Sequence, residues 1–130
     1  MWRYLDNDRN YRGWHLNADK TGCQSLIELI DALARDGGGM RHVPLVTPTA
    51  AQLGVPNKRD SPWVSSDKWR VTYAGAGADW IFGEGNTPAS LTFGESWLQP
   101  LREGISGIAR GRGDYTIGDS KQGERLWFWW

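Results

Sequence analysis

The sequence predicts an α+β fold, a largely antiparallel sheet of six to eight strands with two main helices packed on it. Three observations carry that expectation. Two segments repeat apolar residues every three or four positions, and several others alternate apolar with polar residues. The last five residues, Leu126-Trp127-Phe128-Trp129-Trp130, would be apolar on both faces of any strand they form. At 130 residues the chain has the length of a single domain, 1–130, in which folding buries roughly two-thirds of the unfolded surface.

The elements follow in order. Trp2 and Tyr4 share one side of an extended segment, and Trp14 and Leu16 share one side of the next, so two short strands are expected. Between them Asp6-Asn7-Asp8-Arg9-Asn10 has the Asx-rich composition of a solvent loop. The clearest helix spans Thr21 to Arg35, because Cys23, Leu26, Ile27, Ile30, Leu33 and Ala34 recur at helical spacing. Thr21 with Gln24 reads as a capping box, and Gly37 as the left-handed stop.

Glycines and prolines punctuate the chain from Gly37 to Asp67 and leave room only for a short strand near His42 to Val46 and a helical turn or two from Thr47. Pro56 to Ser66 reads as a surface loop. Trp69, Val71 and Tyr73 then alternate with Lys68, Arg70 and Thr72; Trp80 and Phe82 share a face; Leu91 and Phe93 alternate with Ser90 and Thr92. Together they predict a three-strand meander with one wet side.

The second helix is placed at Leu98 to Arg110, with Leu98, Leu101, Ile105 and Ile108 as its apolar stripe and Pro100 in its first turn. Gly104, Gly107 and Gly111 form a smooth stripe beside the apolar one, which faces either the sheet or a cleft. Asp114 to Gly118 and Arg125 to Trp130 predict a closing hairpin around the loop 119–123. Its last strand carries Trp127 and Trp129 on one face and Leu126, Phe128 and Trp130 on the other, which calls for a central position covered on both sides.

Composition excludes whole classes of function. Fifteen Lys and Arg balance fifteen Asp and Glu, which argues against a nucleic-acid partner. No apolar run approaches the roughly 18 residues of a spanning helix, and Met1-Trp2-Arg3-Tyr4-Leu5-Asp6 lacks the layout of a signal peptide, so no membrane partner and a cytoplasmic location are expected. A single cysteine, Cys23, suits that compartment.

The search for chemistry yields near misses. Cys23, His15 and His42 have no metal-ligand spacing, so neither metal nor cofactor is expected. Gly94-Glu95-Ser96-Trp97-Leu98 lacks the second glycine of a nucleophile elbow. Gly75-x-Gly77 and Gly111-x-Gly113 lack the third glycine of a dinucleotide fingerprint. Arg112-Gly113-Asp114 reads as a helix-to-strand corner, with Arg110 and Arg112 favouring the negative helix end. Asp79, Glu84, Glu95 and Asp114 are the acids that would serve a glycosidase, but no spacing pairs them.

The stretch Gly111-Arg112-Gly113-Asp114-Tyr115-Thr116-Ile117-Gly118 followed by Leu126-Trp127-Phe128-Trp129-Trp130 resembles the ending of small bacterial proteins of uncharacterised function. The resemblance implies a bacterial origin and carries over no activity or site residue. The expectation from the residues is a non-catalytic protein-binding domain, immunity- or inhibitor-like. Its surface would combine Lys68, Arg70 and Thr72 with the Arg102, Ser106 and Arg110 side of the second helix, and Trp80, Arg112 and Asp114 are further binding candidates. The alternative is a small-ligand or carbohydrate-binding protein or small hydrolase with a Trp-lined pocket closed by Asp79 or Asp114.

Overall fold

In the computed structural model, which describes residues 1–6, 11–56, 61–118 and 124–130, the strands divide between two sheets. The five-stranded sheet runs β4 (Trp63–Ser65), β1 (Trp2–Tyr4), β2 (Gly13–Asn17), β9 (Arg125–Trp129), β8 (Tyr115–Ile117). The four-stranded sheet runs β3 (Gly39–Pro44), β5 (Lys68–Tyr73), β7 (Ala89–Phe93), β6 (Ile81–Phe82). The expected α+β class therefore stands, while the single sheet of six to eight strands is replaced by two sheets that share one core. Alternation within a strand reports which face is buried, but nothing in it says which sheet the strand joins.

The predicted meander is also corrected. β7 lies parallel to β5, with Val71 opposite Leu91, and β6 pairs antiparallel on the far side of β7. β7 is thus inserted between its two predecessors. A second parallel pair joins β2 to β9, with Trp14 opposite Leu126 and Leu16 opposite Phe128. Both parallel pairs lie inside their sheets, where cover on the faces is greatest.

Helix α1 (Lys20–Arg35) packs on β3 and β5, helix α3 (Leu98–Ala109) packs on β8 and β9, and the two helices pack on each other. The stripe Cys23, Leu26, Ile30, Leu33 meets Leu101, Ile105 and Ile108 in the main core, together with Trp14, Trp69, Leu91, Phe93 and Phe128. Gly37, at φ +76°, stops α1 as expected: the Gly38 and Gly37 amides donate to the Leu33 and Ala34 carbonyls in a Schellman pattern.

The cap at the other end differs from expectation. Asp19 is the N-cap, its Oδ1 accepting the Gly22 amide at 2.7 Å, while Gln24 turns outward to Glu28. Two residues earlier than Thr21, Asp19 competes with better geometry for the same free amides. The capping box of the molecule is instead at α2 (Ala50–Gly54), where Thr49 and Gln52 bond reciprocally, so Pro48 precedes the cap and does not begin the helix. The stretch read as a surface loop from Pro56 to Ser66 contains the edge strand β4; residues 57–60 of it, like the expected loops 7–10 and 119–123, lie outside the described residues.

β9 sits inside its sheet, with β2 on one side and β8 on the other, as its two apolar faces require. Leu126 and Phe128 enter the main core, and Trp129 enters a second cluster with Trp2 and Tyr4, against which Tyr11, Leu53 and Trp127 pack.

Candidate functional site

The second aromatic cluster is built around a buried histidine. His15 is 0 % exposed, stacked between Trp2 and the Trp127–Trp129 pair, with the edge of Tyr4 against it. The Trp129 Nε1–H donates to His15 Nδ1 at 2.9 Å, so Nδ1 must keep its lone pair; Nε2 then carries the proton and donates to the Tyr11 carbonyl at 3.0 Å. Both ring nitrogens are satisfied in the neutral form. A second proton would have to enter at Nδ1 against an N–H that cannot accept. Burial pushes the His15 pKa down to about 4, with the Tyr11 carbonyl opposing the shift. This is a structural histidine. Cys23 is likewise inert: buried, its thiol is pushed upward by desolvation and then by the Asp19 charge.

Five of the nine predicted binding residues come together elsewhere. Arg102, Ser106, Arg110, Arg112 and Asp114 line a groove of about 630 Å³ between α3 and the chain that leads into β8. The local sequence builds this groove. α3 ends in a second Schellman pattern, with the Arg112 amide bonded to the Gly107 carbonyl and the Gly111 amide to Ile108, and Gly111 takes φ +73°. The chain then turns back sharply, and the Asp114 amide donates to the Phe128 carbonyl at 3.1 Å.

The glycine stripe divides between sheet and groove. Gly104 faces the sheet: a Cβ there would lie 2.5 Å from the Phe128 ring. Gly107 and Gly113 line the groove, and the Trp130 ring rests on Gly113, leaving no space for a side chain. Gly111 has open space around it and serves the left-handed turn.

The charges in the groove are unequally engaged. Arg102 Nε meets Asp31 Oδ1 at 2.6 Å and ties α3 to α1, so this guanidinium is committed. Gln99 donates to Glu103 across one helical turn at 3.0 Å. Arg110 and Arg112 are exposed and have no ion-pair partner among the described residues.

Arg70 and Trp80 do not join them. Trp69 and Val71 point into the core that holds Leu101 and Ile105, so Arg70 points away from α3; its Nε bonds His42 Nε2 at 3.3 Å on the open face of the four-stranded sheet. The surface expected to combine the Arg70 row with the Arg110 side of the helix is therefore two surfaces. Trp80 is buried, donates to the Glu124 carbonyl at 2.9 Å and packs on Trp97, which makes it a core residue. Asp114 lines the groove, whereas Asp79 is exposed and lines neither the groove nor the cleft described next.

A second cavity, of about 690 Å³, opens between α1, β3 and the ends of β1 and β2. Sequence reasoning missed it. Val46, expected at the end of a strand, lies instead beyond β3 and is 84 % exposed on the rim. Among the described residues no group of three or more His, Cys, Asp or Glu side chains converges on a metal position, and no described helix is long and apolar enough to cross a membrane. No family model, curated protein or solved structure matches this chain.

Proposed function

We propose that this chain is a non-catalytic binding domain, of the inhibitor or immunity type, that holds a carboxylate-bearing segment of a protein partner in the groove between α3 and β8. The pair Arg110 and Arg112 supports this reading: two exposed guanidiniums at one end of a concave surface, without ion-pair partners among the described residues. A guanidinium presents a planar fork of donors that matches a carboxylate with two parallel hydrogen bonds. Both arginines lie just past the last residue of α3, where the negative end of the helix dipole favours their own positive charge.

Exposed charge pairs of this kind contribute mainly to steering and register, so binding should weaken as ionic strength rises. The test is a nuclear magnetic resonance titration of the isotope-labelled chain with a short oligoglutamate peptide. Saturable shifts are expected at the amides of Gly107, Arg112, Gly113 and Tyr115, lost in the Arg110→Glu, Arg112→Glu double variant and kept in Arg70→Glu. Shifts centred on Arg70 and Thr72, or no saturable binding, would overturn the reading.

A further inference from the structure

β3 has six residues, against three for β4 and β8 and two for β6, the other strands at sheet edges. β5 pairs with one side of it, and among the described residues no backbone group bonds the other side. The phase of the ladder fixes which groups point outward. One residue past β3, Leu45 continues the register opposite Asp67, and its amide donates to the Asp67 carbonyl at 2.8 Å. That makes a hydrogen-bonded pair, so by alternation Val43, Arg41 and Gly39 also turn their backbone groups to β5. Met40, His42 and Pro44 turn theirs to the open side, where all three residues are exposed.

Two features interrupt this outward row. Pro44 has no N–H to give, and the Met40 carbonyl already accepts Arg41 Nη1 at 3.0 Å. Arg41 stands opposite Val71 on the face turned to the helices, where it also meets Asp36, so it reaches the carbonyl from that face. Against an arbitrary extended segment the proline is a defect of the kind that protects edges, because the carbonyl opposite it finds no donor. A second copy of this chain removes the mismatch. Set antiparallel about a two-fold axis at His42, one β3 places His42 against His42 of the other copy and Met40 against Pro44. The two His42 residues exchange both backbone bonds, and each Met40 amide donates to a Pro44 carbonyl. The acceptor left facing the proline is the Met40 carbonyl, which Arg41 of its own chain supplies.

We propose that this chain pairs with a second copy of itself through β3, so that two four-stranded sheets join edge to edge about a two-fold axis at His42. The interface shares no residue with the groove between α3 and β8 and stands apart from the partner proposed there. Sedimentation equilibrium of the parent, from about 10 μM to about 1 mM, should show reversible growth toward twice the monomer mass, the range expected of a contact held mainly by a few backbone bonds. Amide hydrogen exchange reads the register. The Arg41 and Val43 amides, held by β5, should be protected at every concentration. Those of Met40 and His42 should exchange quickly in dilute solution and slow by about threefold or more at the upper concentration. His42→Pro removes the donor at the axis but none that β5 uses, so it should stay monomeric and melt within a few degrees of the parent. Should that variant lose stability, the exchange contrast in the parent decides alone. A parent that stays monomeric throughout, a dimer whose slowed amides lie in β4, β6 or β8, or a dimer that persists in His42→Pro would overturn the proposal.

Discussion

Acidification should destabilise this protein through His15, and the size of the effect follows from the buried ring. The folded state holds the imidazole neutral down to a pKa of about 4, whereas in the unfolded chain it titrates near its ordinary value of 6.5. Above pH 6.5 both states are neutral and the group adds no pH dependence. As the pH falls through 6.5 the unfolded chain takes up a proton that the folded chain refuses, so stability declines until the folded pKa is reached. At about 1.4 kcal/mol per pH unit, the loss is about 2 kcal/mol at pH 5 and about 3 kcal/mol at pH 4. The assay is urea denaturation of the parent and of His15→Gln between pH 7 and 4. Carboxylates titrate in both proteins, so the difference between the two curves isolates His15. The variant should be less stable at pH 7, because it loses the stack and the Trp129 hydrogen bond, yet its stability should fall less on acidification, by about 3 kcal/mol. Parallel curves would refute the argument, as would a nitrogen spectrum showing the proton on Nδ1.

Three further outcomes are expected. Gly104→Ala should destabilise the fold by about 1–3 kcal/mol despite the better helix propensity of alanine, since the added Cβ would press on the Phe128 ring; chemical denaturation reads the sign, and a stabilised variant would mean that the ring moves aside at little cost. Asp19→Ala should cost about 1 kcal/mol and Thr21→Ala well under half of that, because Asp19 alone caps α1, and equal losses in the two variants would contradict the cap assignment. Removal of Trp127 to Trp130 should prevent folding, as each buried aromatic is worth about 3–5 kcal/mol against a typical total of about 5–15 kcal/mol; a soluble truncation that melts cooperatively would show that β9 is dispensable.

Much of the local structure was legible because it depends on nearest neighbours. The span of α3, the Gly37 helix stop, the closing hairpin and the interior position of β9 all follow from spacing and from a residue that can adopt a left-handed backbone. The α1 cap was misplaced by two residues because Asp19 and Thr21 are both competent caps and only the backbone path decides between them. The candidate site was half legible. Arg102, Arg110, Arg112 and Asp114 lie near one another in sequence, along one helix and just past its end, and the fold keeps them together. Arg70 comes from another sheet and Trp80 from the segment just before β6, and their directions depend on how these parts meet the helices and β9.

By itself the sequence determined the α+β class, which residues form the helical stripes, and that a two-faced apolar strand must lie inside a sheet. Only the tertiary structure decided that there are two sheets, that β7 inserts parallel to β5, and that Val46 and Trp130 stand at the mouth of a cleft. Periodicity records whether a side chain is buried, which is a property of one element. Strand order and concavity arise where several elements from distant parts of the chain meet, and no local pattern encodes the partner.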